Sequence, residues 1–175
     1  MKTRRFAAVL FTLMISSIFL FGCGQGPWKE FKSEALGFTV KFPGKPEINT
    51  KTVDVPIGKI TTTFHTVNPF LGRFWAQYSV MVFDITPTSS LNFSPNTILD
   101  LFKAKFHKEF QVLAERVVTT SGIDGWELEL TCKISDSTLR MFMKGNRIYE
   151  IMVYRRKGSN FSEEKERFFE SFEMQ

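Results

Sequence analysis

The segment from Phe74 to Ile85 is apolar on both of its alternating faces. In an extended strand successive side chains point to opposite sides. Phe74, Tyr78, Val80 and Val82 therefore share one side, and Trp75, Met81 and Phe83 share the other. A strand with no polar face is buried on both sides. The chain must therefore build a sheet and cover it from above and below. Its 175 residues suffice for one domain of ordinary size. With 43% hydrophobic and 23% charged residues, disorder is excluded.

The flanking segments supply the rest of the sheet and its covers. Phe38 to Phe42 alternates and stops at Pro43-Gly44-Lys45-Pro46, a turn cluster. Residues 50–55 and 59–67 form the next strand pair, joined by Pro56-Ile57-Gly58. Ser94-Pro95 reads as a helix cap followed by proline at the first helical position. Leu99, Phe102, Phe106, Phe110 and Leu113 then recur at spacings of 3, 4, 4 and 3, one face of an amphipathic helix. Lys103, Lys105 and Lys108 lie on its wet side. The end of this helix stays open, because 112–120 can begin as helix and must finish as strand.

Residues 125–134, 138–144 and 147–155 read as three strands. Gly145-Asn146 is a two-residue hairpin turn, and Asp136-Ser137 suits a second. This pairs Lys144 with Arg147 and Ser135 with Thr138. One face then collects Leu128, Leu130, Cys132, Leu139, Met141, Met143, Ile148 and Met152. The other holds Glu127, Glu129, Thr131, Lys133 and Arg140 beside Phe142, Tyr149, Ile151 and Val153. The greasy part of that second face needs a cover, and a helix over 161–173 offers Phe161, Phe168, Phe169 and Phe172. Short turns make neighbouring strands antiparallel. The expected fold is α+β, an α/β/α sandwich around a mainly antiparallel sheet of about seven or eight strands.

The first thirty residues address the chain rather than fold it. Lys2, Arg4 and Arg5 precede an uncharged run from Phe6, a targeting pattern. Leu20-Phe21-Gly22-Cys23 resembles a bacterial lipobox, in which a small residue precedes an invariant cysteine; Phe21 is bulkier than is usual there. The resemblance implies cleavage before Cys23 and acylation of it, giving a signal peptide at 1–22, a lipidated Cys and tether at 23–30, and one domain at 31–175. A plain signal-anchor helix is the alternative, since the uncharged stretch to Trp28 is long enough to span a bilayer. Gly22, Gly24, Gly26 and Pro27 would break its last turns. Both readings place the domain in the cell envelope. Gly24 follows the cysteine where enteric bacteria use Asp for inner-membrane retention, which favours the outer membrane in a two-membrane cell.

Charge and cysteine counts change once the leader is removed. The leader carries three basic and no acidic residues, so 20 basic and 18 acidic residues remain, a net charge of +2. That balance gives no footprint for nucleic acid. Cys132 then has no partner within the chain, and its parity with Leu128 and Leu130 predicts a core position.

Gly37-Phe38-Thr39-Val40-Lys41-Phe42-Pro43-Gly44-Lys45-Pro46, the Thr-rich hairpin, the three-strand meander through Gly145-Asn146-Arg147-Ile148-Tyr149, and the closing Phe169-Glu170-Ser171-Phe172 together resemble the PsbP-like family. The resemblance covers roughly residues 30–174. It implies an α/β/α sandwich whose members mostly bind other proteins and share no catalytic residues.

No motif in the chain carries a recognisable reaction. Gly37 and Gly44-Lys45 do not have phosphate-loop spacing, and Pro46 stands where Ser or Thr is needed. There is no G-x-S-x-G, H-E-x-x-H, C-x-x-C or EF-hand pattern. His65 and His107 read as ordinary surface histidines. Glu127 and Glu129 share a strand face, but Lys133, Arg140 and Lys144 on that face account for them as cross-strand charge pairs. Arg155-Arg156-Lys157 reads as a solvated strand end, with contact to anionic headgroups as the alternative.

The expectation is a non-enzymatic, lipid-anchored protein with no cofactor and no metal, which binds another envelope protein. The stretch 69–75 has the composition of a binding hot spot, with Phe70, Leu71, Arg73 and Trp75 as its contacts; folding back over the sheet is the alternative for it. The alternative is a carrier of lipid or another apolar ligand, prompted by the 16 Phe residues left after the leader. A carrier requires an apolar pocket of roughly 300–1,000 Å³. An unrecognised enzyme is the third reading.

Overall fold

The computed structural model describes residues 27–55, 58–71, 74–87, 95–159 and 162–175. Cys23, the leader, Arg73 and Phe161 lie outside them. Eleven strands and two helices follow in chain order among the described residues: β1 (Lys29–Ser33), β2 (Phe38–Phe42), β3 (Glu47–Val55), β4 (Gly58–Val67), β5 (Phe70–Leu71), β6 (Phe74–Pro87), α1 (Pro95–Glu109), β7 (Gln111–Thr120), β8 (Ile123–Thr131), β9 (Ser135–Lys144), β10 (Arg147–Arg156), α2 (Ser162–Glu170) and β11 (Glu173–Met174). The result is a sheet-rich α+β fold.

Seven strands make the main antiparallel sheet in the order β3-β4-β6-β10-β9-β8-β7, and the short β5 pairs with β6 beside it. β6 stands near the centre, as its two apolar faces require. Ala76, Tyr78, Val80 and Val82 are buried on one side, and Ile85 is buried on the other. α1 covers that second side, setting Ile98, Leu99, Phe102 and Phe106 against Leu128, Leu130, Leu139, Met141 and Ile148.

The first side has a mixed cover. α2 lies on it with Phe168 and Phe169 buried, but beside α2 sits a second, three-stranded sheet in the order β1-β2-β11. The sequence reading placed Phe38–Phe42 in the main sheet. In the fold that strand instead buries Phe38, Val40 and Phe42 against the main sheet, packed with Tyr78, Phe142, Tyr149 and Phe172. Each such side chain removed from water contributes about 1.5–3 kcal/mol, so this aromatic layer is a major stabiliser. β1 begins at Lys29, inside the stretch read as tether.

The meander keeps its faces although one turn moves. Lys144 pairs with Arg147 as expected, and Gly145 takes φ +60° in the tight turn between them. The expected pairing of Ser135 with Thr138 does not form. Thr131 pairs with Asp136, and the turn runs through Cys132, Lys133 and Ile134. The Asp136 carboxylate accepts from Thr131 Oγ1 at 2.8 Å, a cross-strand bond that a turn at Asp136 would lose. The displacement is an even number of residues, so Leu128, Leu130, Leu139 and Met141 stay on the α1 side. At Gly125 an added Cβ would lie 2.2 Å from the Met141 carbonyl oxygen, so only glycine permits this β8–β9 approach.

Four residues fall elsewhere than the sequence reading put them. Cys132 is exposed, because β8 ends one residue earlier. Phe110 and Leu113 do not extend the face of α1; the helix ends at Glu109, and Leu113 is 58% exposed where β7 shifts register against β8. His65 is not a surface histidine. It is buried, with its ring 5.1 Å from each of Phe31 and Phe38, because the small sheet covers the face it was expected to show to water.

Candidate functional site

The charged side chains of the α2 face form one network on the sheet. Glu127 on β8 is 2% exposed and accepts from Arg140 Nε of β9 at 2.6 Å and from Arg116 of β7 at 2.5 Å. Arg140 reaches Glu166 of α2 at 3.7 Å, and its guanidinium stacks on Phe169, 4.5 Å from the ring centre. Lys165 lies 3.3 Å from Glu166 and 4.0 Å from Glu129. Glu127 therefore has its carboxylate occupied by two guanidinium groups, the arrangement of a clamp between strands and helix. Of the cations expected to face it, Arg140 does so, whereas Lys144 bonds the Gln175 carbonyl at 2.7 Å and Lys133 sits in the exposed turn.

The same pattern recurs on the other face at lower burial. Glu115 of β7 is bonded by Lys103 of α1 and lies 3.1 Å from His107 Nε2. The Lys103 bond holds the Glu115 carboxyl below its ordinary range, more than burial raises it. Lys103 also lies over Trp126, 4.5 Å from the ring centre. Among the described residues no group of three or more His, Cys, Asp and Glu side chains converges as metal ligands would.

Glu150 escaped the sequence reading. It is 4% exposed on the α1 face of β10, between Ile148 and Met152 in the strand and opposite Met81 and Met141. Burial pushes its carboxyl up to about 7, against a weaker opposing pull from Lys105. The signal was available: Glu150 is the one acidic residue in the run Ile148 to Val153, and its parity matches Ile148 and Met152.

The exposed thiol of Cys132 lies 2.8 Å from Ser135 Oγ, and that hydrogen bond lowers its pKa first among several causes.

The four residues expected to meet a partner are only partly in view. Phe70 and Leu71 form β5 and pair with Trp75 and Phe74 in a short hairpin. The side chains of Phe70 and Leu71 and the whole of Arg73 lie outside the described residues. Trp75 is half-buried and its ring lies against Tyr154, 5.0 Å between centres.

A different surface carries stronger features. β7 pairs with β8 on one side, and among the described residues no strand pairs with its other side. After the register shift, Ala114 to Thr120 runs regularly, with Val117 71% exposed. Edge strands are normally guarded by charge. Here both charges of the strand are turned back into the fold, Glu115 to α1 and Arg116 to Glu127. The opposite edge, β3, has an exposed lysine, Lys51, in its middle.

The pocket beneath α1, lined by Phe106, Trp126, Leu128 and Met141, leaves no room for a water-sized sphere. A larger cleft of ≈ 490 Å³ opens between the β7–β8 turn and the C-terminal segment, with Thr119, Arg140, Phe169 and Glu173 in its mixed walls. No protein-family model matches this chain, and no curated protein matches it either.

Proposed function

We propose that this chain is a non-enzymatic, lipid-anchored envelope protein that binds another envelope protein by adding a strand of the partner to its β7 edge. The observation that carries this reading is the open, regular edge from Ala114 to Thr120, with Val117 exposed and its neighbouring charges engaged inward. Strand addition draws affinity from main-chain hydrogen bonds and specificity from alternate side chains. The lipobox-like Leu20-Phe21-Gly22-Cys23 and the PsbP-like layout support the same reading. Tethering confines both proteins to one surface and raises their effective concentration, so a modest interface is enough.

The test is a photocrosslinking residue placed at Val117 in the full-length protein, in its own membranes. The same residue at Val53 on the opposite edge serves as control. One discrete heterologous adduct from position 117, absent from position 53, supports the proposal. Equal labelling at both edges, or none at 117, contradicts it.

A further inference from the structure

The strand register fixes which end of the sandwich meets the start of the chain. Trp28 packs edge-on against Tyr78, 5.4 Å between ring centres, and Tyr78 pairs with Val153 near the end of β10. Lys29 pairs with Phe42, at the end of β2. The chain therefore enters at the end where β10 finishes and β8 turns into β9. Cys23 precedes Trp28 by five residues, which span at most about 18 Å when extended. A lipid on Cys23 would hold this end of the domain next to the headgroups.

That end has the composition of a membrane-contacting surface. Ile134 is 66% exposed at the tip of the β8–β9 turn. Lys133 beside it, and Arg156 and Lys157 at the end of β10, are exposed, and Arg155 is half-buried. Turn and strand end are one unit: the Lys157 backbone N–H donates to the Ile134 carbonyl at 3.0 Å, and Lys157 Nζ donates to the Cys132 carbonyl at 3.1 Å. Trp75 of β6 and Tyr154 of β10, both half-buried, pack together at the same end, the kind of amphipathic rings that settle at headgroup level. The register places the acidic Glu30, Glu47, Glu129 and Asp136 at this end, Glu30 opposite Lys41 and Asp136 opposite Arg155. Lys29, which pairs with Phe42, and Arg167, 5.5 Å over the Trp28 ring, add cations to the cluster around Ile134.

We propose that this end of the sandwich rests on anionic lipid headgroups, with Ile134 entering the interface and Lys133, Arg155, Arg156 and Lys157 on the phosphates. The proposal deepens the tethered reading and rests on Cys23 as the anchor for its geometry. Basic residues near an anionic leaflet are attracted within a Debye length. Docking would stand the sheet upright on the membrane, because every main-sheet strand runs from this end to the other. The β7 edge would then face sideways, open to a partner held in the same membrane.

The test uses the full-length acylated protein in phosphatidylcholine vesicles, with and without phosphatidylglycerol. A fluorophore is attached at Ile134→Cys in a Cys132→Ser background, and in a second sample at Asn146→Cys at the far end. A headgroup spin-labelled lipid is the quencher. Flotation with the vesicles and the intact mass read the anchor separately. The expected result is several-fold stronger quenching at 134 than at 146 when phosphatidylglycerol is present. A Lys133→Glu, Arg155→Glu, Arg156→Glu variant that still floats should lose that difference. Floating, acylated protein with equal quenching at the two positions overturns the docking and leaves the anchor intact. Protein without an acyl mass whose 134 label is still quenched selectively by anionic vesicles overturns the anchor and supports the docking.

Discussion

Replacing Glu150 with Gln should stabilise the protein, and by an amount set by pH. Glu150 is almost wholly buried in a bed of methionines under α1, and its carboxyl is pushed from 4.5 up to about 7. A group whose folded-state pKa is raised favours the fold fully below its unfolded value and loses that contribution as pH rises through the folded one. The window here is 4.5 to about 7. At 1.36 kcal/mol per pKa unit, the gap corresponds to about 3 kcal/mol of stability lost across that window. Gln keeps the shape and cannot ionise. Urea unfolding should show wild type and Glu150→Gln alike near about pH 4, with the variant ahead by about 3 kcal/mol near about pH 8. In thermal melts at the higher pH this is roughly 6–12 °C for a domain of this size. Comparing the two proteins cancels every other titrating group. A difference that stays flat with pH would refute the burial of this carboxyl under α1.

Three further predictions rest on separate contacts. Burial lowers the His65 pKa below 6.5, more than the hydrogen bond with the Val80 backbone raises it; stability should therefore fall as pH drops below about 6.5, and His65→Phe should remove that acid loss in urea titrations. Glu127→Ala leaves Arg140 and Arg116 without their shared carboxylate and should cost about 3–5 kcal/mol in the same assay, whereas a cost within experimental error would mean that the clamp is ornamental. Cys132 should alkylate fully in the folded protein, and Ser135→Ala should slow it by removing the bond that lowers its pKa; protection until unfolding would return this thiol to the core.

What the sequence made legible followed from parity, and what it hid followed from distance along the chain. The two-faced strand β6, the apolar stripe of α1 and the sorted faces of β8, β9 and β10 all repeat within a few residues. Even the misplaced turn at Asp136-Ser137 left those faces intact, since the displacement was even. The small sheet was different. Its β11 joins Glu173 and Met174 to Thr39 and Phe38, more than a hundred residues away, and a strand of two residues has no period to read. His65 was misread for the same reason, because its cover comes from Phe31 and Phe38 in that sheet. Glu150 could have been found from its apolar neighbours. That β7 lies outermost among the described strands could not, because it is decided by the pairing of β10 with β6 across the whole of α1, β7, β8 and β9.

The most direct test of the whole account is native mass spectrometry of the full-length protein, gently extracted from its own membranes. The account predicts a chain that begins at Cys23, carries covalent acyl chains and travels with a second protein at fixed stoichiometry. An unacylated chain, or an acylated one whose only companion is a small apolar molecule, would contradict it.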